Sequence, residues 1–174
     1  MRLRIAWATD PGLEREENED SVTVWRNKAG LDTLIVVCDG MGGHAAGQHA
    51  SSIAVKTVTK VLSEDGQEGP EVDRLRKACK EANTAVFEAA RDNPEWAGMG
   101  STMVIAAVRS GELGLLNVGD SPAYLFRNGL AKMISQDLHP PPRPDGSRRH
   151  RPEQDPGPDL RAGQTDPGDS LRPT

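Results

Sequence analysis

Asp39 closes a run of five apolar residues, Leu34–Cys38, and is followed by Gly40, Met41, Gly42 and Gly43. A short apolar run of this kind reads as a strand buried on both faces. The glycines leave no Cβ to obstruct close approach, and from His44 the spacing turns helical. One carboxylate, with the Gly40 carbonyl beside it, is thus aimed out of a rigid strand at a strand-to-helix joint. Oxygen donors placed in this way suit a hard cation such as Mg²⁺ or Mn²⁺. The alternative is a tight turn in which Asp39 only caps the following helix. Other side chains able to do chemistry are Arg15, Glu19 and Asp20 in the polar segment 9–21, and Asp120 after Gly119. Taken singly, the two acids read as solvated loop charges, Arg15 as a surface cation and Asp120 as a turn residue.

The elements that must position these groups follow from periodicity. Arg2–Thr9 alternates through Leu3, Ile5 and Trp7 and is expected as a strand with one buried face. Ser21–Asn27 is a second strand that turns through Lys28–Asp32 and pairs with Leu34–Cys38 as a hairpin. A helix is expected from His44 to about Glu64, with Ala46, Ala50, Ile53, Ala54, Val58 and Val61 on one stripe. A second runs from Glu71 to about Asp92, with Val72, Leu75, Cys79, Ala82, Val86 and Ala89 aligned, and Asn93-Pro94 stops it. Ser101–Arg109, Glu112–Val118, Ser121–Arg127 and Leu130–Ile134 read as strands, the last two joined by the hairpin signal Asn128-Gly129. Strands, two long helices and more strands make an α+β pattern.

A chain of 174 residues with net charge −5 holds one ordinary core and no Lys/Arg cluster among aromatics, which excludes a nucleic-acid partner. No apolar stretch is long enough for a membrane span or signal peptide. Cys38 and Cys79 match no zinc spacing and read as buried thiols of a reducing compartment, so a cytoplasmic location is expected. Residues 138–174 hold nine of the thirteen prolines, six arginines against six acids, and no Phe, Trp, Tyr, Ile, Val, Met or Lys. That composition cannot offset its chain entropy, and a disordered tail is expected.

Three blocks carry a family likeness: Gly12, Arg15, Asn18, Glu19, Asp20 and Ser21; Asp39–Gly47 as D-G-M-G-G-H-x-x-G; and Gly98–Thr102 followed by Asn117–Tyr124 as N-V-G-D-S-x-A-Y. In this order they resemble a bacterial member of the metal-dependent serine/threonine protein phosphatases, the type 2C or PPM family, over residues 1 to about 137. The resemblance implies an α/β/β/α sandwich of two antiparallel sheets flanked by helices. It also implies hydrolysis of phosphoserine and phosphothreonine by an activated water, with two Mn²⁺ or Mg²⁺ ions as cofactors. Carried onto this chain, it makes Asp39 the carboxylate bridging the metals and the Gly40 carbonyl a ligand to one of them. Glu19 and Asp20 would hold metal-bound waters, Arg15 would grip the substrate phosphate, and Asp120 would help hold a third metal. His44 is read as a locally packed helix-start residue, Gly98–Thr102 as structural. Met41 stands where eukaryotic relatives carry a proposed general acid, which leaves that role without an owner. The implied partner is a phosphorylated protein, in opposition to a serine/threonine kinase.

Two departures stand out. Pro122 replaces the family's usual arginine and removes an N–H at a strand start. The family's later S-D-G and D-N blocks, both metal-ligand aspartates, are not encoded. Asp145-Gly146 lacks a preceding apolar strand, and Asp92-Asn93 falls at a helix end. The expectation is an incomplete sandwich, residues 1–137 being the N-terminal portion of a phosphatase domain and 138–174 a tail, as a frameshift near codon 137 would produce. Three functions compete: a phosphatase, a catalytically inactive pseudophosphatase that binds phosphopeptide or a kinase through Arg15 and the loops, and a remnant with no role.

Overall fold

The computed structural model describes residues 3–13, 15–27, 32–42, 45–64 and 71–135. The expected disordered tail, the turn at 28–31 and His44 lie outside the described residues. In chain order the elements are β1 (Asp20–Arg26), β2 (Thr33–Met41), α1 (Ala46–Glu64), α2 (Glu71–Asp92), β3 (Gly100–Ser101), β4 (Met103–Arg109), β5 (Glu112–Val118), β6 (Tyr124–Arg127) and β7 (Leu130–Met133). A five-stranded sheet runs β1-β2-β4-β5 with β3 also on β2, and β6-β7 form a separate two-stranded sheet. Every pairing is antiparallel. The α+β class, with antiparallel sheets and helices layered against them, is the one expected.

β2 is the spine. It pairs with β1 from Asp20↔Asp39 to Arg26↔Thr33, and with β4 from Thr33↔Val108 to Val37↔Val104. Its Leu34, Val36 and Cys38 are buried and pack with Ala50, Ala54 and Val58 of α1, Leu75, Ala78 and Ala82 of α2, and Ile105 and Leu116 of the neighbouring strands. Small residues on α1 let the helix lie close to the sheet. Burial pushes the Cys38 thiol up to about 12 and the Cys79 thiol up to about 11, so both remain protonated and unreactive.

The structure corrects several expectations. β2 is not buried on both faces: Ile35 is half-buried and Val37 is 40% exposed, because both described helices lie on the Leu34–Val36–Cys38 side. The opposite face presents Val22, Val24, Ile35, Val37, Val104 and Ala106 in register across β1, β2 and β4. Residues 3–9 form no strand. Leu3 and Ile5 are half-buried and Trp7 exposed, no described strand takes up their backbone groups, and Arg26 Nη2 donates to the Leu3 carbonyl at 3.5 Å. Asp39 does not cap a helix, since β2 continues through Met41 and α1 begins at Ala46. Val72 faces solvent, and Arg74 takes its place on the buried stripe of α2. The Arg74 charge is met by Glu71 at 2.8 Å. Its Nε has no partner among the described residues, and it borders a cavity of about 50 Å³ that also touches Thr33, at the end of β2 away from Asp39. The strand expected from Ser121 begins only at Tyr124, after Pro122. The turn Asn128-Gly129 takes positive φ at both residues, 53° and 76°, as a two-residue hairpin of this twist demands.

One close approach locks the spine to α1. A Cβ added at Gly40 would collide with the Gly47 carbonyl oxygen, and one added at Gly47 would collide with Glu19 Oε1. Gly40→Ala should therefore cost about 1–3 kcal/mol in urea denaturation, the scale of overpacking a filled site. A loss below about 0.5 kcal/mol, typical of an unconstrained surface change, would show that the helix can draw back freely.

Candidate functional site

The acids singled out in the sequence meet at one end of β2. Asp20 and Asp39 are direct cross-strand partners at the mouth of the β1–β2 hairpin. The approach to β1 is shaped by Asn18, whose Oδ1 accepts from the Asp20 N–H at 3.0 Å while its Nδ2 donates to Thr9 Oγ1 at 2.7 Å. This Asx turn sets the direction in which Asp20 leaves the loop. The ladder runs on past Asp20, because the Gly40 N–H donates to the Glu19 carbonyl at 3.1 Å. Glu19 and Asp20 are thereby fixed beside Asp39 and Gly40 by the backbone ladder together with the Asn18 side chain.

Arg15 is held by Glu19, Nη1 to Oε2 at 3.0 Å, with the arginine largely exposed and the glutamate mostly covered. Glu19 itself rests against Gly47 in the first turn of α1, a helix with no acid of its own there. A carboxylate at a helix N-terminus is favoured by the helix dipole. Ser21 Oγ meets Ser51 Oγ at 2.9 Å, a further tie between β1 and α1.

On the other side of Asp39, β3 and β4 are interrupted at Thr102. The Asp39 N–H donates to Thr102 Oγ1 at 3.0 Å, the Thr102 N–H donates to the Asp39 carbonyl at 2.8 Å, and Ser101 Oγ, with one hydrogen to give, lies 3.1 Å from the same carbonyl and 2.8 Å from that of Thr102. Asp120 sits in the loop after β5, exposed, following Gly119 at φ 89°. The Asp39 carboxyl lies above its ordinary range. Partial burial is the leading cause, followed by the charge of Asp20 and a carboxyl–carboxyl hydrogen bond to it; Asp120 adds to the rise and Arg15 opposes it. Asp39, Asp20, Asp120 and Arg15 therefore share one electrostatic neighbourhood.

All the donors gathered here are oxygens, and their like charges repel. A hard divalent cation that keeps several waters is the ligand such a set fits. Among the described residues no three His, Cys, Asp or Glu side chains converge on one point, so an ion held here would take few carboxylates and much water. Reading of the sequence found Arg15, Glu19, Asp20, Asp39, Gly40 and Asp120. Asn18, Thr102 and Ser121 stood in the quoted blocks, with Gly98–Thr102 read as structural, but the hydrogen bonds they make around Asp20 and Asp39 were not foreseen.

Because the Asp39 pKa is raised by folding, its ionisation costs stability. In metal-free protein that loss is absent below the ordinary carboxylate value of about 4 and develops as pH rises through the raised pKa. Asp39→Asn should accordingly melt above wild type at pH 7 in chelator, with the gap closing as the pH falls toward 4. A variant less stable than wild type at pH 7 would contradict the electrostatics.

Comparison with known proteins agrees with this geometry. The family model described as protein phosphatase 2C matches residues 14–139. The serine/threonine protein phosphatase PstP of Mycobacterium tuberculosis is 36% identical over 135 residues, 78% of this chain and 25% of PstP. The serine/threonine phosphatase Stp of Listeria monocytogenes is 35% identical over 138 residues, 78% of this chain and 54% of Stp. The catalytic domain of PstP, solved in complex with two manganese ions, superposes with a TM-score of 0.65 at 34% identity, covering 75% of this chain and 54% of that one. The chain thus spans a quarter to about half of the length of these relatives. With the family model matched over most of its length and the acids of its motifs gathered at one strand end, the chain belongs to the bacterial PPM, or protein phosphatase 2C, family of metal-dependent serine/threonine phosphatases.

Proposed function

We propose that this chain supplies the phosphate-gripping and first metal-binding portion of a phosphoserine/phosphothreonine phosphatase dependent on Mn²⁺ or Mg²⁺. The observation that carries the reading is the cross-strand pairing of Asp20 with Asp39 at the end of β2, with Arg15 held next to them by Glu19. In this reading the Asp39 carboxylate and the Gly40 carbonyl would hold the cation, Asp20 and Glu19 would hold its waters, and Asp120 would contribute a further oxygen. Bound divalent ions supply an activated water and neutralise charge on the phosphoryl oxygens. Arg15 directs its planar fork at the phosphate, where two oxygens can be taken at once. Glu19 holds that fork in place at 3.0 Å while leaving most of it open to solvent.

The substrates are phosphorylated proteins, the products of a serine/threonine kinase that this activity opposes. Residues 1–137 act as the N-terminal portion of the phosphatase domain, with 138–174 a Pro/Arg-rich segment outside it. Two free, buried cysteines support a reducing, cytoplasmic setting, and no helix among the described residues is long and apolar enough to cross a membrane.

A second reading rests on the sparse donor set among the described residues: phosphopeptide capture by Arg15 without turnover, as in a pseudophosphatase. Hydrolysis of p-nitrophenyl phosphate separates the two. The phosphatase reading expects Mn²⁺-dependent turnover that chelator removes and Asp39→Asn abolishes. Phosphopeptide binding with no turnover at saturating Mn²⁺ would select the second reading. In either case Arg15→Ala should weaken phosphopeptide binding by about tenfold to a hundredfold, the value of a hydrogen bond to a charged group, in a fluorescence-anisotropy titration. Unchanged affinity would remove Arg15 from the site.

A further inference from the structure

Continuing the register Val37↔Val104 and Gly40↔Ser101 places Thr102 directly opposite Asp39, at the one interruption between β3 and β4. In an unbroken antiparallel ladder the Asp39 N–H would donate to the Thr102 carbonyl. Here it donates to Thr102 Oγ1 at 3.0 Å instead, and the Thr102 carbonyl accepts from Ser101 Oγ at 2.8 Å. A side-chain hydroxyl has taken the place of a backbone carbonyl in the ladder.

That hydroxyl is used twice. Thr102 Oγ1 lies 2.6 Å from Ser121 Oγ. After accepting from the Asp39 N–H, Oγ1 keeps both its own hydrogen and a second lone pair, so either hydroxyl can donate across this contact. The other substituent on the same carbon is also in use: a Cβ at Gly119 would stand 2.9 Å from the Thr102 methyl, so the methyl fills the space that glycine leaves. Gly119 and Ser121 flank Asp120. Ser121 is pinned from behind by Asn117, whose buried Nδ2 donates to its carbonyl at 2.6 Å. One threonine therefore touches the backbone of Asp39 and both neighbours of Asp120.

We propose that Thr102 is a positioning residue: its hydroxyl and methyl set the Asp39 and Asp120 carboxylates relative to one another, and through that spacing tune the affinity of the chain for a divalent cation. The inference rests on the metal reading given above and adds a residue to which that reading assigns nothing. Thr102→Val keeps the shape, deletes the hydroxyl and leaves the Asp39 N–H without its acceptor. Thr102→Ser keeps the hydroxyl and deletes the methyl. Ser121→Ala removes only the far end of the bridge.

Calorimetric Mn²⁺ titration of the full chain, with amide hydrogen exchange read at Asp39 and Asp120, tests the proposal. Thr102→Val should weaken Mn²⁺ binding by about tenfold, the worth of one buried hydrogen bond, while Thr102→Ser, which loses only the methyl, and Ser121→Ala fall between Thr102→Val and wild type. In an Asp120→Asn background Thr102→Val should cause a much smaller further loss, because the partner it positions is gone. A threonine with only a structural role would lower the melting temperature and give the same fold-loss in both backgrounds, which overturns the proposal. Wild-type Mn²⁺ affinity in Thr102→Val overturns it while leaving the metal reading intact. Wild type that binds no Mn²⁺ overturns both. Unchanged exchange at Asp39 and Asp120 in Thr102→Val, with or without metal, overturns the tether itself.

Discussion

The structure depends on β2 being hydrogen-bonded along both edges while α1 presses on one of its faces. A strand so enclosed has no freedom to slide, because a slip of one residue would carry Leu34, Val36 and Cys38 from the core to the other face. Fixing the strand fixes what it carries at its end. The glycine-to-glycine approach at Gly40 and Gly47 makes the helix part of the same rigid unit, and Glu19 is trapped in that joint. The placement of Asp39, Asp20 and Arg15 is thus a consequence of core packing, and the loop between Thr9 and Asp20 has only to deliver its side chains to positions already defined.

Gathering acids in this way works against folding. Asp20 and Asp39 stand opposite one another, and like charges facing across a strand pair repel. The raised proton affinity of the Asp39 carboxyl, caused by partial burial and then by the charge of Asp20, is the response of the metal-free chain. Arg15 relieves part of the repulsion, but Glu19 already claims one of its nitrogens. A divalent cation placed among these oxygens would offset the repulsion. Structure and charge here point the same way: the fold holds together groups that are stable together only with something positive between them.

Much of this was legible in the chain. The apolar run before Asp39 and the 3.6-residue stripes of α1 and α2 are local patterns, and each produced the expected element. The acids and the arginine stood in blocks short enough to read directly. What escaped was of two kinds. Alternation in Leu3, Ile5 and Trp7 describes a strand's faces but cannot supply its partner, and residues 3–9 are not in a sheet. Likewise a continuous apolar run says nothing of which face is covered, so β2 read as enclosed on both sides. The polar ties Thr102–Asp39, Thr102–Ser121 and Ser21–Ser51 join residues 19 to 63 positions apart. They leave no periodic trace, since any serine or threonine could fill such a place until the fold chooses one.

The valine row on the side of the sheet away from α1 and α2 has a bearing on how the molecule behaves in solution. Val22, Val37 and Val104 stand in line across three strands, and Val37 keeps 40% of its surface in contact with solvent. Salts excluded from protein surfaces, sulfate among them, make wetting such a plane more costly, whereas those that merely screen charge do not. The composition of a buffer, and not only its ionic strength, therefore governs whether this face stays hydrated or seeks another oily surface to lie against.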